Sequence, residues 1–257
     1  MTLALCLLAA AAAAAIRGVY SPCGLSMLST ITPMGERARG SSFAWTATAF
    51  VLGATGGGLL LGGSMAAAAA CAGAVPWDAR DAACCAVVAV CAAGDVQLFG
   101  LRLWDHPRQV DVRWVQRFRP WVYGSGFGAQ LGVGIATYVM TNATYAIIAG
   151  GVLFGRPSVA LGVGATYGTV RGLTILLGLA ARSPERLQAL HAALSRLEPV
   201  SRWLALLAEL CVLAAAIVAD PSPLARGVLV ASACLVSLVC LAAAARGALR
   251  ARVTAAT

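Results

Sequence analysis

Four ionisable side chains, Arg17, Asp95, Arg171 and Glu209, fall inside apolar stretches of this chain, and a Pro22-Cys23 pair interrupts the first of those stretches. Charges among hydrocarbon-soluble residues are costly to bury, which makes them function candidates by default. Gln97 and Gln130 add uncharged polar groups at similar depths. Arg17, Cys23, Gln130, Arg171 and Glu209 could line a polar cavity for a small anionic solute, with guanidinium groups supplying the positive charge. The candidate ligand-binding set is Arg17, Pro22, Cys23, Gly126, Gln130, Arg171 and Glu209. Two blander readings stand beside it: Arg17 or Asp95 snorkels to an interface, or the two arginines and two carboxylates form purely structural pairs.

Other chemistries find little support. The nine cysteines include no C-x-x-C pair, and most sit among alanines, where cysteine packs as a small hydrophobe. His106 and His191 are far apart in loops. No metal site and no cofactor are expected. The net charge of +9 comes from arginines scattered through short loops rather than gathered in a stripe with exposed aromatics, so nucleic acid is not an expected partner.

These residues must be positioned by helices in lipid. With 60% hydrophobic and 11% charged residues, the chain lacks the polar surface of a soluble globule, and membrane lipid is its expected surrounding. Apolar tracts long enough to span roughly 30 Å of hydrocarbon recur along it. The expected fold is all-α, a polytopic membrane helix bundle of one domain with seven transmembrane crossings, at about 2–34, 43–75, 81–101, 120–155, 157–181, 201–219 and 223–246. The opening tract has no basic residue ahead of it and continues past Arg17, so it reads as the first crossing rather than a cleaved signal. All 19 basic residues are arginine, a composition typical of a GC-rich, bacterial gene.

The first and fourth tracts are too long for straight crossings and carry their own breakers, Ser21-Pro22-Cys23-Gly24 and Gly124-Ser125-Gly126-Phe127-Gly128. Arginine-rich connections at 35–42, 102–119 and 182–200 and the tail after Arg246 belong on the cytoplasmic side. The arginine-poor connections at 76–80, Arg156 and 220–226 belong outside. Seven crossings with the N-terminus outside and the C-terminus inside satisfy every loop. Within the third basic loop, residues 183–198 place Leu187, Leu190, Leu194 and Leu197 at helical spacing, predicting an amphipathic helix on the inner surface.

The segment 19–28 aligns without gaps onto 122–131, sharing Val-Tyr and a Leu, and Gly53-Ala54-Thr55 matches Gly164-Ala165-Thr166 in the next crossing of each half. The halves, about 1–101 and 120–219, then form inverted three-helix repeats, with 223–246 as an extra helix. Membrane carriers of this architecture bind near the midplane, where the first helix of each repeat is interrupted.

At Ser21-Pro22-Cys23-Gly24-Leu25 the chain resembles the DsbD/CcdA family of transmembrane thiol reductant carriers, over about residues 18–33, with the repeat pattern extending the likeness loosely to 219. The resemblance implies a cell inner membrane location, a redox-active Cys23 and a thioredoxin-like partner. The family's second cysteine would fall at Gly126 and its proline at Ser125; Cys84, Cys85 and Cys91 are the candidate substitutes. The leading expectation is a transporter-like protein with a small-solute site between the two broken helices. A thiol redox carrier using Cys23 and a non-transporting membrane scaffold are the alternatives.

Overall fold

In the computed structural model, which describes residues 1–72, 75–96, 109–154 and 156–219, the first apolar tract leaves the helix where it meets Ser21-Pro22. Helix α1 (Thr2–Arg17) runs into a single 3-10 turn, Gly18–Tyr20, and Ser21 then swings to an extended conformation at φ −67°, ψ 152°. Proline at the first position of α2 (Pro22–Thr30) costs no hydrogen bond there, because that amide would be unpaired in any helix. The Ser21 hydroxyl accepts from the Gly24 amide at 3.1 Å and caps the new helix. Thr32 repeats the device for α3 (Pro33–Ala38), accepting from the Gly35 amide at 3.0 Å.

The remaining elements are α4 (Phe43–Cys71), α5 (Trp77–Asp95), the short α6 (Trp114–Arg117), α7 (Pro120–Val133), α8 (Ala143–Leu153), α9 (Pro157–Leu173) continued by a 3-10 helix Thr174–Ala180, and α10 (Pro184–Ala219). Among the described residues every regular element is helical. Four helical stretches, Thr2–Tyr20, Phe43–Cys71, Pro157–Ala180 and Pro184–Val218, are long and apolar enough to cross a membrane. The expected seventh crossing at 223–246, the tail arginines, Gln97 and His106 lie outside the described residues.

Helix α4 lies between α7 and α9 and packs against both more extensively than any other pair of elements packs. Glycines make this possible. A methyl group added at Gly53 or Gly57 of α4 would overlap the α7 backbone, and one at Gly58 or Gly62 would overlap α9. Seen from α7, Gly124, Gly128 and Gly132 meet α4 backbone; from α9, Gly164 and Gly168 do the same. Backbones brought this close gain dispersion contacts that long side chains would prevent, the usual means of helix association in lipid.

Two apolar clusters result. One joins the body of α1 with α5, α8 and the second half of α10, and includes Leu7, Met65, Val88, Ile147 and Leu213. The other joins α2, the start of α4 and α7, and includes Met27, Phe50, Phe127 and Ile175. Three helices pass from one cluster to the other across polar residues: α1 between Ala15 and Val19 at Arg17, α9 between Tyr167 and Ile175 at Arg171, and α10 between Leu194 and Ala205 at Glu198 and Ser201.

Three expectations change. The fourth tract is interrupted, but at 134–142 rather than at 124–128. The Gly124–Gly128 run stays helical because its glycines are used for contact with α4, whereas Gly134, at φ 78° and pressed against the Tyr167 ring, turns the chain out of α7. Consequently the gapless match of 19–28 to 122–131 sets a helix break against an unbroken helix. The amphipathic segment 183–198 and the crossing 201–219 are one helix, with Pro199 inside it, and Leu190 and Leu194 pack on the cluster containing α2. Finally, the connection at 35–42 is not all exposed loop: Glu36 within it is fully buried.

Candidate functional site

Both helix interruptions fall at the boundary between the apolar clusters, since α1 belongs to one cluster and α2 to the other, and α7 and α8 divide the same way. The backbone groups freed there cannot be met by hydrocarbon and must find protein partners. At the first interruption Arg171 supplies them. Its Nη1 donates to the Ala15 carbonyl at 3.3 Å and its Nη2 to the Ser21 hydroxyl at 3.0 Å. A methyl group added at Gly18 would overlap this guanidinium where it now lies. Arg171 is buried, its Nε has no hydrogen-bond partner among the described residues, and no carboxylate pairs with it there.

Arg17, also buried, faces α10 instead. Its Nη2 donates to Glu198 Oε1 at 2.9 Å and its Nη1 to the Ser201 hydroxyl at 3.2 Å, so it fastens residues on both sides of Pro199. The Tyr20 ring lies 5.5 Å from the guanidinium carbon.

At the second interruption Asp95, the last residue of α5, caps α8 from outside. It accepts from the Thr141 hydroxyl and from the Asn142 amide, the latter at 2.6 Å. Negative charge at a helix N-terminus is favourable because the free amides there carry partial positive charge. Asp95 interacts electrostatically with Arg17 and with Glu209, so charge links the two interruptions. Glu209 on α10 is 1% exposed, and neither of its oxygens has a hydrogen-bond partner among the described residues.

The anticipated pairing of Arg17 and Arg171 with Asp95 and Glu209 is therefore not formed: Arg17 takes Glu198, Arg171 takes neutral oxygens, and Asp95 takes a helix end. Pro22 and Cys23 occupy the first turn of α2, Pro22 exposed and Cys23 buried within electrostatic reach of Arg171. Gly126 faces the Trp114 ring, and Gln130, one turn further along that face, is half-buried. Helix α7, which carries both, packs chiefly on α4. Cys84, Cys85 and Cys91 belong to the cluster of α1 and α8, while Cys23 belongs to the other. No cysteine among the described residues forms a disulfide.

Sequence reading missed a second polar centre. Glu36 accepts from Tyr123 Oη at 2.8 and 2.7 Å, from the Thr46 hydroxyl at 2.7 Å and from Arg39 Nη2 at 2.5 Å. It joins α3, α4 and α7 beside the first interruption's cluster. The signal available was weak: an acid and an arginine at i, i+3 after a Thr-Pro helix start.

These features define a polytopic helical membrane protein with a buried polar boundary across its bundle. No family model matches the chain, and no solved structure matches it. Over 179 residues it is 31% identical to the methylamine utilization protein MauF of Paracoccus versutus, a stretch covering 66% of this chain and 63% of that protein. The chain thus spans less than two thirds of that relative's length.

Proposed function

We propose that this chain is a bacterial inner-membrane carrier of seven crossings, N-terminus outside and C-terminus inside, built as inverted three-helix halves on a DsbD/CcdA-like scaffold. Its site lies at the two helix interruptions and takes a small anionic solute. One observation carries the reading: the buried Arg171 guanidinium sits against the first interruption with an unpartnered Nε and no countercharge among the described residues. A buried cation in that state favours an anion beside it. Glu209, buried and without a hydrogen-bond partner among the described residues, supplies the carboxyl whose protonation would couple to the solute's movement. The likeness to MauF, a methylamine utilization protein, supports a role for this activity in methylamine utilization.

A thiol redox role for Cys23 is the second reading. It is favoured by the cysteine's position in the first turn of α2 near Arg171, a setting that reactive cysteines share. The second thiol would come from a thioredoxin-like partner.

The test is complementation of a deletion strain grown on methylamine, with each variant checked for membrane accumulation. On the carrier reading Arg171→Gln and Glu209→Gln fail to restore growth while Cys23→Ser restores it; the redox reading reverses the result for Cys23→Ser. Normal growth of the deletion strain removes methylamine utilization from the proposal, and restoration by Arg171→Gln removes the anion site.

A further inference from the structure

Away from the polar boundary, a cleft of about 370 Å³ opens between Pro33, Met34, Arg37, Phe43, Leu179 and Arg182. Its level in the molecule is fixed by two antiparallel helices: Phe43 is the first residue of the span Phe43–Cys71, and Leu179 is next to last in the span Pro157–Ala180. The ends are in contact, since the Phe43 ring approaches Gly178. The cleft therefore lies where two spans reach the membrane surface. Trp45, 61% exposed and half a turn inside α4, is the kind of ring that marks such an interface.

The lining divides by chemistry. Met34, Phe43 and Leu179 form an apolar wall, and Leu173, Leu176 and Leu177 continue an exposed apolar surface along α9 towards the hydrocarbon. Arg37 and Arg182 stand at the mouth, both exposed. Neither belongs to a salt bridge among the described residues, although Glu36 next to Arg37 is fully engaged by Arg39, Thr46 and Tyr123. Two unneutralised arginines over an apolar slot at a membrane surface match one occupant, a lipid whose phosphate meets the guanidinium pair while an acyl chain follows the slot.

We infer that this cleft is a binding site for an anionic glycerophospholipid. The head-group phosphodiester bridges Arg37 and Arg182, and one chain lies on Met34, Phe43 and Leu179. The lipid ties the short α3 to the end of α9, a junction that the described side chains leave open. This site is independent of the carrier proposal, because it uses no residue of the polar boundary.

The test is native mass spectrometry of the detergent-purified full chain titrated with dioleoylphosphatidylglycerol, with dioleoylphosphatidylcholine as the zwitterionic control and glycerol 3-phosphate as the soluble head group. The chain binds one phosphatidylglycerol in preference to phosphatidylcholine. The double variant Arg37→Gln/Arg182→Gln loses that preference by about 30-fold, roughly five-fold for each arginine. Because both arginines are exposed and in no salt bridge among the described residues, the variant keeps its fold, which an unchanged melting temperature in zwitterionic detergent verifies. A charge-matched control, Arg113→Gln/Arg117→Gln, keeps the preference. Equal binding of the two lipids, an undiminished preference in the double variant, an equal loss in the control, or displacement by glycerol 3-phosphate at concentrations comparable to the lipid overturns the assignment.

Discussion

Arg171 donates to the Ser21 hydroxyl at 3.0 Å across 150 residues of chain. The same hydroxyl accepts from the Gly24 amide and starts α2, so one oxygen both ends the first interruption and holds the guanidinium against it. Ser21→Ala removes a helix cap, worth about 1 kcal/mol, and a hydrogen bond to a charged group, worth about 1.5–3 kcal/mol. A clear drop in the melting temperature of the purified protein is expected, and Ser21→Thr restores most of it. An unchanged melting temperature in Ser21→Ala contradicts the account.

Glu36 sets a pH dependence. Burial opposes its ionisation, but hydrogen bonds from Arg39, Thr46 and Tyr123 outweigh burial and hold its carboxyl below the ordinary value of 4.5. A depressed folded-state pKa means the stabilisation is fully present above about pH 4.5 and is lost as pH falls through the lower folded value. Melting temperature measured from pH 6 down to pH 3 falls for the wild type, and falls less steeply for Glu36→Gln. Parallel curves for the two proteins would exclude the effect. Tyr123→Phe, which removes one donor and leaves two, costs about 1 kcal/mol at neutral pH.

Glycine contact can be tested by contrast. Gly128→Ala puts a methyl into the Phe50 carbonyl across the α4–α7 interface, whereas the same change at Gly56 meets open space. Gly128→Ala destabilises by about 1–3 kcal/mol, and Gly56→Ala is neutral or stabilising by up to about 1 kcal/mol. Equal effects in unfolding measurements would show that the α4–α7 approach is looser than the structure has it.

Arg17 and Glu198 are coupled through their 2.9 Å ion pair. Arg17→Met and Glu198→Ala each destabilise, and the double variant is more stable than the sum of the singles implies, by about 1–2 kcal/mol. Additive effects within error would mean that Ser201 and Tyr20 alone hold the guanidinium.

Thiol reactivity reads out burial. Cys71 and Cys211 are exposed, while Cys23, Cys84, Cys85 and Cys91 are buried. A membrane-permeant maleimide modifies the first pair in the folded protein and the remaining four only after denaturation. Rapid modification of Cys23 in the native state, scored by peptide mass mapping, would show that the first interruption is open.

The membrane-embedded helical character of this chain was legible in its residues, because hydrocarbon admits so few backbone arrangements that long apolar tracts have almost no alternative to helix. The Ser21-Pro22 break was legible for a local reason as well: proline dictates its own dihedral and bars the preceding residue from the helical region. The start of α9 followed from Pro157 in the same way.

The second interruption was decided by packing. Gly124, Gly126 and Gly128 have the same freedom as any glycines in isolation, and the contact with α4 is what keeps them helical and moves the break to Gly134. Pairing of charges was likewise settled only in three dimensions. Arg17 could have met Asp95 or Glu209 by position along the helices, yet the rotation of α10 presents Glu198 and Ser201, and Asp95 finds a helix end closer than an arginine. A one-dimensional sequence records how deep a residue lies in the bilayer; which neighbour it meets depends on helix rotation and tilt, and those are set by side chains on other helices far along the chain.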